Sequence, residues 1–224
     1  MSGFTGFRRE HFDYFLLHDD DEARRWVCEQ MADFASQVRV ILHEFAPFYE
    51  HYDIGNLKIS DSYCWVAFGP RHSAYRQVTH QTTSLGSGGL QVFVNAELKA
   101  ATDRVKTVLS RSADAFRVAL QDLHRLEPFE LVLEERAQRQ ASLYDYTPKM
   151  RLHSSMLADR ATGDVAWNAF AQTVQLLPLP YLRIERLVPL SQLLELSRCD
   201  PPQAVQHVVD ILKCNHAVVK LLNR

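Results

Sequence analysis

Apolar residues recur with helical spacing in the N-terminal quarter of the chain. From Val27 onward the intervals between apolar positions are 4, 3, 4, 3 and 4, which places them on one helical face. The stripe consists of Val27, Met31, Phe34, Val38, Ile41 and Phe45. The acidic run 19–21 precedes it, and acidic residues cap the free N–H groups at the start of a helix. Pro47 disfavours helical geometry just before it, so we predict a helix that ends by Phe45.

The pattern changes to that of a β-sheet in the next third of the chain. Residues 63–68 are aromatic and β-branched, which is typical of a strand, and Gly69-Pro70 ends the run. We predict a second strand over residues 75–84 and a third over residues 90–94. Short connections between consecutive strands favour an antiparallel meander.

The glycine-rich stretch 86–89 invites comparison with phosphate-binding loops. Such a loop needs a strand before it and a helix N-terminus after it, so that several backbone N–H groups converge on the anion. Here a strand follows, and no Lys-Ser or Lys-Thr pair lies downstream. We therefore predict an ordinary hairpin turn.

The second half of the chain mixes helices and strands. An amphipathic segment runs from residue 98 to 123 with a break near residues 110–112, strands are predicted over 129–133, 149–156 and 181–188, and a helix over 164–176. Pro201-Pro202 opens a last helix, whose apolar stripe consists of Val205, Val208, Leu212 and Val219. The order α-βββ-α-ββ-α-β-α lacks regular βαβ alternation. It predicts one α+β domain over residues 1–224, a mainly antiparallel sheet with helices packed against it.

Charge and cysteine content narrow the class of protein. The 224 residues carry a net charge of −2, which argues against a general nucleic-acid binder. The four cysteines form no CxxC pair and have no histidine at zinc-finger spacing, so we expect reduced thiols and no metal. The N-terminus lacks the apolar core of a signal peptide, and no apolar run approaches the ~20 residues that cross a bilayer. These features favour a cytoplasmic protein without a membrane partner, and nothing in them predicts a cofactor.

Cationic and aromatic residues concentrate in and beside the second predicted strand. Arg76 and His80 share parity and would lie on one face, with Tyr75 on the other and Arg71 and His72 in the preceding turn. A guanidinium beside an imidazole can hold a phosphoryl or carboxylate group. If the two strands are neighbours, Lys149 and Arg151 would extend the set. The alternative is a solvated sheet face with ordinary polar residues.

Two His-x-Ser/Thr triplets lie in predicted strands. His80 and Thr82 form one, and His153 and Ser155 form the other. Two such pairs facing each other could grip a phosphodiester, with one imidazole as base and one as acid. This looks like the signature of the two-histidine phosphoesterases. With 10 histidines, however, about one such triplet is expected by chance.

The block from Asp61 to Pro70 carries a family resemblance. Its sequence, Asp-Ser-Tyr-Cys-Trp-Val-Ala-Phe-Gly-Pro, is similar to that of the YktB-like family of uncharacterised bacterial proteins. In the family a basic turn, a tyrosine and a histidine closing the next strand follow, and here those positions resemble Arg71, Tyr75, Arg76 and His80. The opening 4–15, the strand 90–94 and the acid Glu97 follow in the family's order.

The chain also departs from that family. Residues 56–60 replace the basic pair and Asn-Pro-Pro expected before the tryptophan strand, and the motif at His153 is not a family feature. The resemblance implies a single cytoplasmic α+β domain and no particular activity.

Three functions therefore stay open on the sequence. The first is binding of a small anionic ligand or a protein partner on the basic and aromatic sheet face. The second is phosphodiester chemistry with His80 and His153. The third is an interaction subunit of an oligomer, a homo-oligomer included, that uses an exposed part of the first or last helical stripe.

Overall fold

The computed structural model describes residues 4–17, 21–55, 57–70, 75–140, 143–159 and 161–223. The helices are α1 (Arg9–Leu17), α2 (Asp21–Phe45), α3 (Lys99–Arg111), α4 (Ala113–Leu126), α5 (Ser154–Ala158), α6 (Gly163–Leu176), α7 (Leu190–Cys199), α8 (Pro201–Cys214) and α9 (His216–Leu222). The strands are β1 (Tyr52–Ile54), β2 (Lys58–Ile59), β3 (Tyr63–Pro70), β4 (His80–Gly86), β5 (Gly89–Ala96), β6 (Glu130–Gln140), β7 (Leu143–His153) and β8 (Pro180–Pro189).

The strands form an open sheet with helices packed against it, which confirms the predicted α+β class. Its order is β1-β3-β4-β5-β8-β6-β7, with β2 paired to β3. The pairings of β3 with β1, β2 and β4, and of β6 with β7 and β8, are antiparallel.

The chain divides into two compact units. Unit 1 comprises Met1–Tyr75, Gln81–Val92 and Leu187–Lys213. Its core contains the stripe of α2 and the apolar face of α8, which pack with buried residues of β3 and β5. Aromatic rings fill the N-terminal end of this core, where Phe4 and Phe7 contact Phe34.

Unit 2 comprises Arg76–His80, Phe93–Arg186 and Cys214–Arg224. Its core brings together apolar residues of α4 and α6, where Phe116, Trp167 and Phe170 contact one another, and the apolar face of β6 and β8. That the chain is one domain stays a prediction.

Several predicted elements are confirmed. The α2 helix ends at Phe45, the break near residues 110–112 lies at Ser112 between α3 and α4, and α8 begins at Pro201. The 86–89 stretch is the predicted hairpin turn between β4 and β5. Gly89 is required there, because its φ is +133° and an added Cβ would lie 2.2 Å from the Val188 carbonyl oxygen.

Two predicted strands need correction. Residues 75–77 form a 3₁₀ turn, so β4 begins only at His80. The strand predicted over 149–156 ends at His153, where the side chain caps α5 by accepting a hydrogen bond from the Ser155 backbone N–H. A side chain that caps a helix competes with the strand hydrogen bonds for such backbone N–H donors, which explains why β7 ends at His153.

Candidate functional site

Arg76 lies in the 3₁₀ turn and is paired with a carboxylate. Its Nε donates to Oε2 of Glu97 at 2.9 Å, and its Nη2 contacts Oε1 of the same carboxylate. This side-on bidentate pair neutralises the guanidinium. Arg76 is therefore committed to Glu97 rather than presented to an anion.

His80 is a buried structural imidazole, only 1% exposed. Its Nδ1 lies 3.1 Å from the Val78 carbonyl oxygen, and its Nε2 lies 3.4 Å from the amide nitrogen of Asn95. This arrangement assigns the proton to Nδ1 and makes Nε2 the acceptor. The amide oxygen of Asn95 accepts a hydrogen bond from the Tyr181 hydroxyl at 3.2 Å, so the chain of polar contacts continues to β8.

The described members of the predicted ligand set are held by separate partners and not gathered on one strand face. Arg76 and His80 do not share a strand face, because the 3₁₀ turn intervenes. The strands β4 and β7 are not neighbours, since β5, β8 and β6 lie between them. Tyr75 is half-buried in unit 1, where its ring lies against Gly55. Arg71 and His72 lie outside the described residues.

The basic residues of β7 also have carboxylate partners. Arg151 pairs with Glu185 at 3.1 Å and Lys149 pairs with Glu135 at 2.8 Å. Lys149 has no partner in the β6–β7 register, where the pairing shifts, so a bulge breaks the alternation predicted for Lys149 and Arg151.

The geometry does not support the two-histidine arrangement. His80 and Thr82 are both buried, at 1% and 3% exposure, whereas His153 is exposed and hydrogen-bonded through Nδ1 to the Ser155 hydroxyl at 2.7 Å. In the sheet order β4 and β7 are not neighbours, so the two histidines do not lie on adjacent strands.

The helical stripes proposed as an interaction surface are mostly buried. Val27, Met31, Phe34 and Val38 of α2 and Val205, Val208 and Leu212 of α8 are at most 1% exposed and belong to the core of unit 1. Phe45, at the end of α2, is the exposed member of its stripe, and the Lys213 ammonium lies 5.2 Å from its ring.

A polar sheet face in unit 2 was not predicted from the sequence. The register places Tyr181 of β8 opposite Glu134, Tyr146 of β7 opposite Arg136, and Tyr144 opposite residue 138. Because alternate residues of a strand share a face, these side chains lie on the same side of the sheet. We call this surface the tyrosine–arginine face: Glu134, Arg136, Tyr144, Tyr146, Tyr181 and Arg183.

Acidic partners neutralise the other arginine of this face. Arg183 pairs with Glu134 at 3.3 Å and with Glu185 at 3.6 Å. Beside the face, the Tyr146 hydroxyl donates to Glu97 at 3.4 Å, and Glu97 is also the partner of Arg76. The face is therefore a network of pairs rather than a bare basic patch.

Arg136 is the exception in this network. It is 5% exposed, and its Nε and Nη1 are buried without a hydrogen-bond partner. No carboxylate in the described part of the chain pairs with it. Its guanidinium lies 4.5 Å from the centre of the Tyr144 ring, which the Arg76 guanidinium also approaches at 5.9 Å. An arginine stays charged at any physiological pH, so this is a buried positive charge without a counter-ion.

Two tyrosines of the face, Tyr146 and Tyr181, have raised pKa values. Burial, together with the nearby Glu97 carboxylate, raises the pKa of Tyr146 to about 12, although Arg76 and Arg136 oppose the shift. Burial also raises the pKa of Tyr181 well above its usual range. Both hydroxyls therefore keep their protons near neutral pH, and each donates a hydrogen bond to its partner in the fold, Glu97 for Tyr146 and Asn95 for Tyr181.

The sequence contains a pattern that indicates this face, because charged and aromatic residues occur at every second position. Glu134 and Arg136 are two positions apart, as are Tyr144 and Tyr146. The strand predicted over 129–133 stops short of Glu134, whereas β6 continues to Gln140 and β7 begins at Leu143. The alternation of Glu134 with Arg136 and of Tyr144 with Tyr146 therefore points to a shared sheet face only when β6 and β7 are known to form a long hairpin.

Comparisons with protein-family models and with curated proteins gave no match. The YktB-like resemblance therefore stays a prediction.

Across the residues that the structure covers, no three His, Cys, Asp or Glu side chains group as metal ligands. Over the same residues, none of the helices has the length and apolar character that crossing a bilayer requires.

Proposed function

We propose that the protein binds a small anionic ligand through Arg136, on the tyrosine–arginine face of unit 2. One observation carries the proposal, namely that Arg136 is nine-tenths buried while its Nε and Nη1 lack any hydrogen-bond partner. The ligand-binding function is that expected from the basic and aromatic sheet face, but its centre is Arg136 rather than Arg76 and His80.

The physical argument rests on the cost of an unsatisfied buried charge. A buried donor without a partner costs about 1–3 kcal/mol, and more when the group is charged. Stacking on Tyr144 returns up to about 2 kcal/mol, because a desolvated cation–π contact has that magnitude. An oxyanion that accepts from the guanidinium would remove the deficit, so the bound state is favoured over the empty one.

The contrast with the neighbouring arginine supports the same site. Arg183 lies on the same face and has two carboxylate partners, Glu134 and Glu185. The face therefore has acidic residues within reach of its arginines, yet none pairs with Arg136. A site reserved for an external anion has this property.

The proposal can be tested by calorimetric titration of the protein with acetate, benzoate, methanesulfonate and sulfate at constant ionic strength. We expect at least one of these anions to bind the wild type and to lose measurable affinity for R136Q. The control is R125Q, which removes the same charge from an arginine of α4 whose side chain is 75% exposed and pairs with Asp122. If R136Q and R125Q bind every anion as the wild type does, the proposal is wrong.

A second readout reports on the guanidinium directly. In a spectrum of arginine side-chain Nε–H groups, the Arg136 signal should move when a binding anion is added, because its Nε has no partner beforehand. The R136K variant identifies that signal by removing it. An Arg136 signal that stays fixed at saturating anion would contradict direct binding.

We further propose a cytoplasmic location, on the basis of the cysteines. Cys28, Cys64 and Cys199 form no disulfide, and Cys64 is buried whereas Cys199 is exposed. Free thiols are typical of proteins in a reducing compartment.

A further inference from the structure

We infer that the ligand of the tyrosine–arginine face is an aromatic monoanion, of which a monocarboxylate with a planar ring is the simplest case. The inference rests on the proposed function and adds the charge and the shape of the ligand. Two separate observations carry it: the number of cations without partners on the face, and the aromatic surface that surrounds Arg136.

The charge follows from the pairing of the arginines. Arg76 is held by Glu97, and Arg183 is held by Glu134 and Glu185. Among the described arginines of the face and its border, this leaves Arg136 as the one without a carboxylate partner, with its Nε and Nη1 lacking any hydrogen bond. The attraction of an anion to one guanidinium rises in proportion to the anion's charge. Its desolvation cost rises with the square of that charge, and the site is nearly closed to water, since Arg136 is 5% exposed. A monoanion is therefore favoured over a dianion.

The acidic residues of the network strengthen this preference. Glu134 is two residues from Arg136 on the same strand face, and Glu97 accepts from Tyr146, the cross-strand partner of Arg136. A second negative charge on the ligand would be repelled by these carboxylates, whereas a single charge only completes the pairing of Arg136.

The shape follows from the rings around the guanidinium. Tyr144 stacks on Arg136, and Tyr146 and Tyr181 contact each other with ring centres 5.1 Å apart. Tyr146 is 40% exposed, so it offers aromatic surface to a molecule that approaches Arg136 from solvent. A planar ring attached to the anionic group can pack against this surface in the offset or edge-on geometry that aromatic pairs prefer.

Matched pairs of probes separate the two parts of the inference. Methanesulfonate and sulfate share a tetrahedral sulfur–oxygen group and differ in charge, whereas benzoate and acetate share a carboxylate and differ by a ring. We expect methanesulfonate to bind at least about tenfold more tightly than sulfate. We expect benzoate to bind about fivefold more tightly than acetate, the ratio that one aromatic contact supplies. The R136Q variant should lose both preferences together with binding.

Two variants of Tyr146 test the aromatic part. Y146L removes the ring and should bring the benzoate-to-acetate ratio close to one, whereas Y146F keeps the ring and should retain the ratio. Y146F also removes the hydroxyl that donates to Glu97, so it controls for that hydrogen bond.

Each outcome has a defined meaning. Sulfate binding as tightly as methanesulfonate through Arg136 would overturn the monoanion assignment and leave the proposed function intact. Equal affinities for benzoate and acetate would overturn the aromatic assignment in the same way. If none of the four probes binds in an Arg136-dependent manner, the proposed function itself is wrong.

Discussion

Replacement of Arg136 by methionine should stabilise the protein when no ligand is present. The two side chains have similar length, but methionine brings no charge and no N–H donors into the site. An arginine retained for binding is expected to lower the stability of the empty protein, because its desolvation is not compensated. An arginine retained for folding would have the opposite effect.

The magnitude follows from the contacts of Arg136. Two buried donors without partners cost about 2–6 kcal/mol together, and the variant removes this cost. The variant also loses the stacking of the guanidinium on Tyr144, about 2 kcal/mol, although a thioether regains part of it. The balance is an increase of about 2 kcal/mol in the free energy of unfolding, or roughly 4–8 °C in Tm for a chain of this size.

The measurement is urea unfolding followed by far-ultraviolet circular dichroism and tryptophan fluorescence. A higher midpoint at an unchanged slope shows a gain in stability. The matched control is R183M, which removes the neighbouring paired arginine and leaves Glu134 and Glu185 without it. That variant should lose about 3 kcal/mol, because breaking a largely buried pair leaves the Glu134 carboxylate without its arginine and leaves Glu185 with Arg151 alone.

The two arginines should thus respond with opposite signs to the same substitution. If R136M loses 2 kcal/mol or more, as R183M is expected to do, Arg136 stabilises the fold and the argument for a binding site fails.

Three further substitutions or conditions test other parts of the structure. G89A should cost more than about 2 kcal/mol in unfolding free energy, since φ is +133° and the new Cβ would meet the Val188 carbonyl oxygen. S154A should cost about 1–3 kcal/mol, because the buried hydroxyl accepts from the Phe129 backbone N–H at 3.0 Å. Acidification should destabilise the protein through His11, whose pKa burial lowers to about 4. Because the unfolded state binds this proton first, that contribution is present above about pH 6.5 and is lost as pH falls toward 4, about 3 kcal/mol in all.

Matched controls exist for each of these. Chemical unfolding should show almost no effect of G88A, since an added Cβ at Gly88 meets no atom within 4 Å. It should also show little effect of S155A, whose hydroxyl is exposed. For His11, the imidazole C–H resonance should titrate near pH 4, and a normal titration near 6.5 would contradict its burial.

The sequence determined those elements in which local pattern and tertiary environment agree. The stripe of α2 is buried from Val27 to Val38, as its spacing predicts. The turn at 86–89 forms where Gly89 has a positive φ, a backbone conformation that glycine adopts readily. The α+β class followed from the order of these elements.

The tertiary structure decided the partners and the burial of the polar residues. The sequence places Arg76 and His80 two positions before and after Val78, which predicts a shared strand face. In the structure Arg76 lies in a 3₁₀ turn, and only His80 belongs to the strand. One pairs with Glu97, which is 21 residues away, and the other is held by Asn95. No local pattern near Arg76 and His80 indicates these partners, because Asn95 lies in β5 and Glu97 follows the end of that strand.

Arg136 is another residue whose environment could not be predicted from the sequence. Its neighbours in sequence are those of an ordinary polar strand, and nothing in them predicts burial or the lack of a partner. Only the register of β6 with β7 brings Tyr144 and Tyr146 over it. Whether a charged side chain is paired depends on which side chains the sheet brings within a few ångströms. The register between strands sets those neighbours, and the identity of the charged residue does not.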